Sequence, residues 1–434
     1  MKKNLHRAAL CLVFGFAVIG LLSESSPLYT FNSWCDANIY LTTAREMLHG
    51  KMLYRDVFDH KGPYLYLIHL LAVLIDQWSF RGVYIMESLA ASAYAYLSLK
   101  AVKADSKRKI FMALAGCAAV YGCGAFMKGD SAEEFCLPLL MGSLIAAETE
   151  SYLAVGIMAG MIFWTKMTMC SFYVGWYIVM LMKNWRKAIA GIPKIIIGLM
   201  ISSLPIMIMF IGNYDSLWKG YFVSNISYGS QQTHVLEDAF LYGYTLVTCA
   251  VPLMMNAVAL TQKKWRGMII LTGFFLIFPI LSVSSLFTYY WLPLMCYAPL
   301  WADMDIKNAN AIIISAAVIP MAFLFGNVRN IGKPVPQMKM VNIIKKDSHH
   351  GKIFQFGMLD YGFYTLLHQT PEEKYFFAPN MLSKEITEAQ EKSVTGRRYK
   401  YVISRIRLGS MYKLIYTERD IDRGEIMYLY KLQK

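Results

Sequence analysis

Residues 36–66 read DANIYLTTAREMLHGKMLYRDVFDHKGPYLY and gather Asp36, Glu46, Arg55, Asp56, Asp59 and Lys61 in one short polar stretch. Asp36 follows an apolar segment and lies beside Trp34 and Asn38. A carboxylate there can take a proton from an attacking hydroxyl. It equally suits the N-cap of the helix that ANIYLTTAREML predicts. Asp59, His60 and Lys61 follow in FDHKGPY, where Gly62-Pro63 breaks the chain and Pro63 opens an apolar helix. Lys61 can hold a phosphate as a compact point charge, with Asp59 orienting Asp36 or an acceptor. Alternatively, Lys61 and Asp59 pair with each other and with lipid headgroups. His49 and His60 have no metal-ligand spacing with other His or Cys residues and read as surface residues.

Three other places carry polar groups in apolar surroundings. KGDSAEEF supplies Asp130, Glu133 and Glu134, which either complete an active site or bind a divalent cation through oxygen. The plain alternative is a solvated helix start with a capping pattern from Ser131. Lys166, in MIFWTKMTM, is a functional candidate because charge at membrane depth is costly; the alternative is a snorkelling lysine. Tyr289 and Tyr290, in SLFTYYWLP, line a lipid or sugar site or belong to an interfacial aromatic belt.

The elements that must position these groups are membrane helices. The 434 residues are 56% hydrophobic and 17% charged, with mean hydropathy +0.38, whereas soluble domains carry about 25% charged residues. The net charge of +14 is spread in short basic clusters between apolar runs, which sets membrane topology and argues against nucleic acid as a partner. All eight cysteines lie in or beside apolar segments, so neither a disulfide framework nor a zinc site is expected.

The N-terminal run, 8–22, follows Lys2, Lys3 and Arg7 and reads as a retained signal-anchor helix with its N-terminus in the cytoplasm. The polar loop from Ser23 is then outside. Residues 63–77 are too short for a span of about 20 residues and read as an interfacial or re-entrant element. Spans are expected at 80–99, 109–127, 136–147, 151–165, 168–182, 193–212, 241–260, 267–286, 289–302 and 310–326. This makes about eleven, with basic turns 1–7, 100–109, 183–194 and 263–266 all inside. Residues 213–240 form a long outer loop.

The chain changes character after 326. KIFQFGML, RRYKYVISRI, KLIYTE and EIMYLYKL read as strands and EITEAQEKSV as a helix. The expectation is an α-helical polytopic membrane domain over 1–326, with a functional first outer loop at 23–79. A small extracytoplasmic mixed α/β domain follows at 327–434, of a size that can fold alone.

The first loop resembles that of the C-type (GT-C) integral-membrane glycosyltransferase superfamily, in the branch of protein O-mannosyltransferases and lipid A aminoarabinose transferases. Those proteins carry an acidic pair early in the loop, a REML helix and an F-E-K-P-P segment opening a membrane helix. The matching stretches here are D-x-N from Asp36, AREMLHGKMLYRD and FDHKGPYLY. The resemblance implies that Asp36 is the catalytic aspartate, Asp59 the acid of F-E-K-P and Lys61 its phosphate-contacting lysine. MIFWTKMTM is similar to the family's T-K-G segment, which places Lys166 at its lysine. FTYYWLPLMCYAP is similar to the late H-Y-Y-L-P pattern, with Thr288 where histidine is frequent. Departures are Ala37 and Asn38 in place of the second acid, the additional His60, and Gly62 for the first proline.

On this resemblance the chain transfers a sugar from a polyprenyl-phosphate donor to a cell-envelope glycan, lipid or protein acceptor, outside a bacterial cytoplasmic membrane. Asp36 and Asp59 are the expected catalytic residues, Lys61 and Lys166 the expected phosphate ligands, and Asn38, Asp130, Glu133, Tyr289 and Tyr290 their support. The resembled branch works without a metal, while the acids here leave a divalent cation open as a cofactor. The competing classes are a glycolipid transporter, flippase or polymerase, and a scaffold. Charges inside the expected spans are almost absent, whereas transporters place polar sites near the midplane.

Overall fold

The computed structural model describes residues 2–229, 235–282, 287–305, 310, 326–347, 351–380, 383–419 and 426–433. Helix α1 (Lys2–Leu22) leads to α2 (Cys35–Leu48) and α3 (Pro63–Ile75). Then come α4 (Arg81–Ala101), α5 (Lys107–Tyr121), α6 (Ala132–Glu148), α7 (Tyr152–Phe163) and α8 (Ser171–Met209). After short helical turns over 214–229 follow α9 (Val235–Thr248), α10 (Ala250–Thr261) and α11 (Lys263–Ser282). The stretch expected as a span at 289–302 is an interrupted run instead, Thr288–Trp291, Leu292–Met295 and Ala298–Asp303, broken near Pro293 and Pro299. The span expected at 310–326 lies almost wholly outside the described residues.

Among the described residues, Asn4–Leu22 and Met167–Met209 are long and apolar enough to cross a membrane, with Phe240–Thr248 and Ala250–Thr261 a third if their 70° bend is one broken span. The 43-residue run is too long for one crossing, since about 20 residues suffice. It folds back at Asn184, whose φ of −161° and ψ of 93° leave the helical region. The Tyr177 hydroxyl accordingly donates to the Ala188 carbonyl at 3.1 Å, residues about 16 Å apart along a straight helix. The break falls in KNWRK, where the sequence predicts a basic turn between two spans. At 13 residues, α3 is too short to cross.

The basic turns gather at one end of the bundle. Arg7 donates to the Ala104 carbonyl, and Lys264 reaches the Ala101 carbonyl at 2.9 Å and Glu148 at 2.7 Å. Lys187 pairs with Glu150 at 2.8 Å. Small residues let helices approach closely at mid-height: Gly15 lies against Ser92, and Gly156 against the Ile195 carbonyl. One acid lies in the stretch expected as a span at 80–99: Glu87 of α4, fully buried.

All four strands expected near the C-terminus form: β1 (Ile353–Phe356), β2 (Tyr401–Ser404), β3 (Tyr412–Arg419) and β4 (Ile426–Leu432). They build one sheet in the order β1-β2-β4-β3, with only β1 and β2 parallel. The helix expected at EITEAQEKSV is α13 (Lys384–Thr395), capped by Ser383, and α12 (Gln337–Lys346) precedes the sheet. Side chains alternate along the strands. Ile353, Tyr401, Ile403, Met427 and Leu429 join the core that runs through the first loop and the helical body. Phe354, Val402 and Tyr430 form a smaller core with Val394 of α13. The inner face of the sheet is thus packed as part of the main core.

Arg45 of α2 fastens this C-terminal unit to the first loop. Fully buried, it donates to the Gln77 carbonyl at 3.1 Å and to the Thr365 and Thr42 hydroxyls at 3.2 Å each, and lies 4.3 Å over the Trp78 ring. Burial holds its guanidinium down at about 10, against the pull of Asp360 and Glu46. Arg45→Met should leave these acceptors and Asp360 without their cation, at a cost of about 2–4 kcal/mol. Thermal unfolding in detergent, with limited proteolysis of the C-terminal unit, measures this as a lowered midpoint and faster cleavage.

Candidate active site

Asp36 is the second residue of α2, whose N-cap is Trp34 with no side-chain cap. Its carboxylate is therefore not used for capping, although the helix N-terminus still favours its charge. Oδ2 accepts from the Tyr40 and Tyr289 hydroxyls, 3.4 Å each, and the Cys35 thiol lies 3.8 Å from Oδ1. Trp34 meets the Tyr289 ring edge-on at 5.3 Å, so the segment at 287–291 closes over the start of α2.

Asp59 is buried below α2. Its Oδ1 accepts from the His60 amide at 2.7 Å and lies 3.0 Å from His60 Nδ1, and its Oδ2 accepts from the Tyr66 hydroxyl. Burial alone would raise this carboxyl, but hydrogen bonds from His60 and Tyr66 and the nearby Lys61 charge outweigh it and hold it at about 2. Burial and the Lys61 charge push His60 down, so at neutral pH the imidazole acts through its hydrogen bond rather than as a cation. Burial also opposes the charge of Lys61, yet Asp36 and Asp59 raise it, and it stays an ammonium. Lys61 Nζ is 3.3 Å from His60 Nε2.

The Asp59 shift fixes a pH dependence. A carboxyl depressed from 3.8 to about 2 stabilises the fold while ionised and loses that contribution as pH falls through the interval. The difference in unfolding stability between wild type and Asp59→Asn should be constant above about pH 5 and shrink by roughly 2 kcal/mol between about pH 4 and 2. Denaturant unfolding in detergent at stepped pH measures it.

Gly62 brings the second lysine alongside. Its amide donates to the Thr165 carbonyl at 3.2 Å, and the Tyr64 amide to the Trp164 carbonyl at 3.0 Å. A Cβ on Gly62 would fall 2.1 Å from the Trp164 oxygen. Glycine is required by this contact, where the resembled pattern has proline. Gly62→Ala should force the two segments apart, cost about 1–3 kcal/mol and separate Lys61 from Lys166; loss of function with retained membrane insertion checks it.

Lys166 pairs with Glu133 at 2.7 Å and lies 4.4 Å over the Tyr290 ring and 5.6 Å over Tyr289. Burial, reinforced by Lys61, lowers its ammonium despite Glu133. Asp130, fully buried at φ 66°, bonds His69 Nε2 at 2.8 Å. Its amide donates to Glu87 at 2.7 Å and Glu134 at 3.0 Å. Asp130 and Glu134 thus form a buried cluster with Glu87 and His69, while Glu133 faces Lys166. Among the described residues no three His, Cys, Asp or Glu side chains are arranged to hold a metal ion. Asn38 donates to the Asn32 and Trp34 carbonyls at 2.9 and 2.8 Å and braces the approach to α2.

Two cavities meet at Lys61. The larger, about 160 Å³, is mainly apolar, with Met167, Met169, Leu276, Pro279 and Ile280 in its wall and Lys61, Lys166 and Glu133 at its polar end. The smaller, about 20 Å³, is lined by Asp36, Tyr40, Asp59 and Tyr289. His60, Lys61 and Tyr228 border both. Of the sequence candidates, Asp36, Asp59, Lys61, Lys166, Glu133, Tyr289 and Tyr290 line this pair of cavities, whereas Asn38 and Asp130 do not. His60, expected at the surface, is instead half-buried and stacks on Tyr228 at 5.2 Å. Tyr228 and Asn225, which donates to the His60 carbonyl at 2.7 Å, join the site from the loop expected at 213–240, and nothing in their own spacing marks them.

A helical body, an acid-bearing first loop and a small C-terminal sheet packed upon it make up the fold. Solved structures of similar fold include ArnT from Cupriavidus metallidurans bound to undecaprenyl phosphate, at TM-score 0.64, and the same protein in the apo state, at 0.60. Each is 11% identical, over 98% of this chain and 97% of that chain. At this identity the likeness is one of fold. No family model and no curated protein sequence matches the chain.

Proposed function

We propose that this chain is a membrane glycosyltransferase that passes a sugar from a polyprenyl-phosphate carrier to a cell-envelope acceptor on the outer face of the cytoplasmic membrane. The observation that carries the reading is the junction at Lys61. An apolar cavity suited to a carrier chain ends at two lysines, and next to it is a small acid-lined cavity with Asp36. The fold shared with ArnT, solved with undecaprenyl phosphate bound, supports this choice of carrier. A multi-span topology with the first loop outside, and an extracytoplasmic C-terminal domain, belong to the same reading.

In the reaction, the acceptor oxygen attacks the anomeric carbon, and the bond from that carbon to the phosphate oxygen breaks. The electron pair leaves with the phosphate, whose charge Lys61 and then Lys166 stabilise. Asp36 takes the acceptor proton as general base. Asp59 favours the charge of Lys61, while Tyr289 and Tyr40 orient Asp36. A single displacement inverts the anomeric configuration. Glu133 tethers Lys166 until a phosphate competes for it.

The test is the surface glycan of a deletion strain with and without the wild-type gene. One sugar that disappears on deletion and returns on complementation supports transfer and names the sugar. An unchanged set of surface glycans with altered export of a complete polymer would favour a transporter.

A further inference from the structure

A cavity of about 370 Å³ opens at the basic end of the bundle, between the last turn of α6, the first half of α8 and the start of α11. Its residues do not overlap with those around Lys61, and its volume falls in the range of small-molecule sites, about 300–1,000 Å³. Leu144, Met180, Met268 and Leu271 make an apolar wall, and the charged lining residues are Glu148, Lys183, Lys263 and Lys264. Lys264 is already neutralised, by Glu148 at 2.7 Å and Asp303 at 3.8 Å. Lys183 donates to the Ala147 carbonyl at 3.3 Å. Glu150, whose carboxylate the Lys183 charge also reaches, pairs with Lys187 at 2.8 Å. Lys183 and Lys263 are exposed, and neither has an ion pair among the described residues. Two ammonium groups are therefore left uncompensated beside an apolar hollow.

Gly267, in the wall, keeps the hollow open. At Gly15 and Gly156 a missing side chain lets two helices touch, but a Cβ on Gly267 would meet nothing within 4 Å. Gly267, Ile270 and Phe274 are exposed at helical spacing and form one outward apolar face of α11. With the chain in a membrane, that face meets acyl chains, and lysines at the basic end reach the headgroup phosphates. A purely apolar occupant would leave the two lysines unused. A soluble anion would leave the apolar wall in water. An amphiphile with a net negative headgroup satisfies both.

We infer that this cavity holds one anionic phospholipid, its phosphate against Lys183 and Lys263 and an acyl chain along the apolar wall beside Gly267. The inference uses the membrane placement of the chain and is independent of sugar transfer. The test titrates purified full-length protein in detergent with dioleoyl phosphatidylglycerol, and with zwitterionic dioleoyl phosphatidylcholine for comparison, and follows bound lipid by native mass spectrometry. Phosphatidylglycerol should bind at least fivefold more tightly than phosphatidylcholine. Lys183→Ala with Lys263→Ala should weaken phosphatidylglycerol at least tenfold. Gly267→Leu should fill the hollow and weaken both lipids at least fivefold, with an unfolding midpoint at or above wild type because leucine favours a helix over glycine. Arg186→Ala removes an exposed charge of the same basic turn that does not line the cavity, and should leave binding unchanged. No phosphatidylglycerol binding, equal binding of both lipids, or binding unmoved by the lysine pair or by Gly267→Leu would overturn the inference. So would an equal loss with Arg186→Ala, because the attraction would then be diffuse. The full pattern in a protein shown not to transfer sugar would support the inference and reject the transferase reading alone.

Discussion

Asp36→Asn is expected to lower sugar transfer by about 10³-fold while the protein reaches the membrane at wild-type level. A positioned general base contributes roughly 10²–10⁴, and the amide keeps the shape of the carboxylate without its basicity. The side chain is half-buried, and its partners are the Tyr40 and Tyr289 hydroxyls at 3.4 Å. An asparagine can retain both contacts, so the loss should fall on turnover and not on folding. Quantifying the affected surface sugar in complemented deletion cells, with protein level measured in parallel, checks it. Wild-type sugar content in the variant would remove Asp36 from the chemistry.

Lys61→Met is expected to have the second largest effect, and on two readouts. Lys61 is 8% exposed, and Asp36 and Asp59 raise its ammonium against burial. Methionine fills much of the same volume but removes a nearby charge that helps keep buried Asp59 ionised, a loss of about 1–3 kcal/mol. The double change Lys61→Met with Asp59→Asn should recover most of that stability, because the stranded charge is gone, and none of the activity. Thermal unfolding in detergent separates the two consequences. Binding of undecaprenyl phosphate to the purified double variant should be at least tenfold weaker than to wild type, since the lysine is then missing from a correctly folded site.

Much of this was legible in the sequence, for physical reasons. Apolar runs and basic turns are long, repeated signals, so the bundle and the gathering of its basic ends could be read directly. The four strands and α13 were legible because alternation and the Ser383 cap are local features. Asp36, Asp59 and Lys61 stood out because charge is rare in this chain. The stretch 289–302 misled because its apolar composition is that of a span, while Pro293 and Pro299 interrupt it. His60 reads as a surface residue in the sequence because its burial is set by Tyr228, distant in sequence. The separation of Glu133, facing Lys166, from Asp130 and Glu134, facing Glu87, follows from the left-handed turn at Asp130 and from α4, neither visible in KGDSAEEF.

The most direct measurement follows release of undecaprenyl phosphate by the purified protein, supplied with polyprenyl-phosphate sugars and acceptor-containing envelope extract from the deletion strain. The expected result is release that requires the extract and wild-type protein, falls to background with Asp36→Asn, and accompanies one new sugar linkage of inverted configuration. Release at the same rate from Asp36→Asn, or none from wild type with any polyprenyl-phosphate sugar in that pool, would contradict a transferase centred on Asp36 and Lys61.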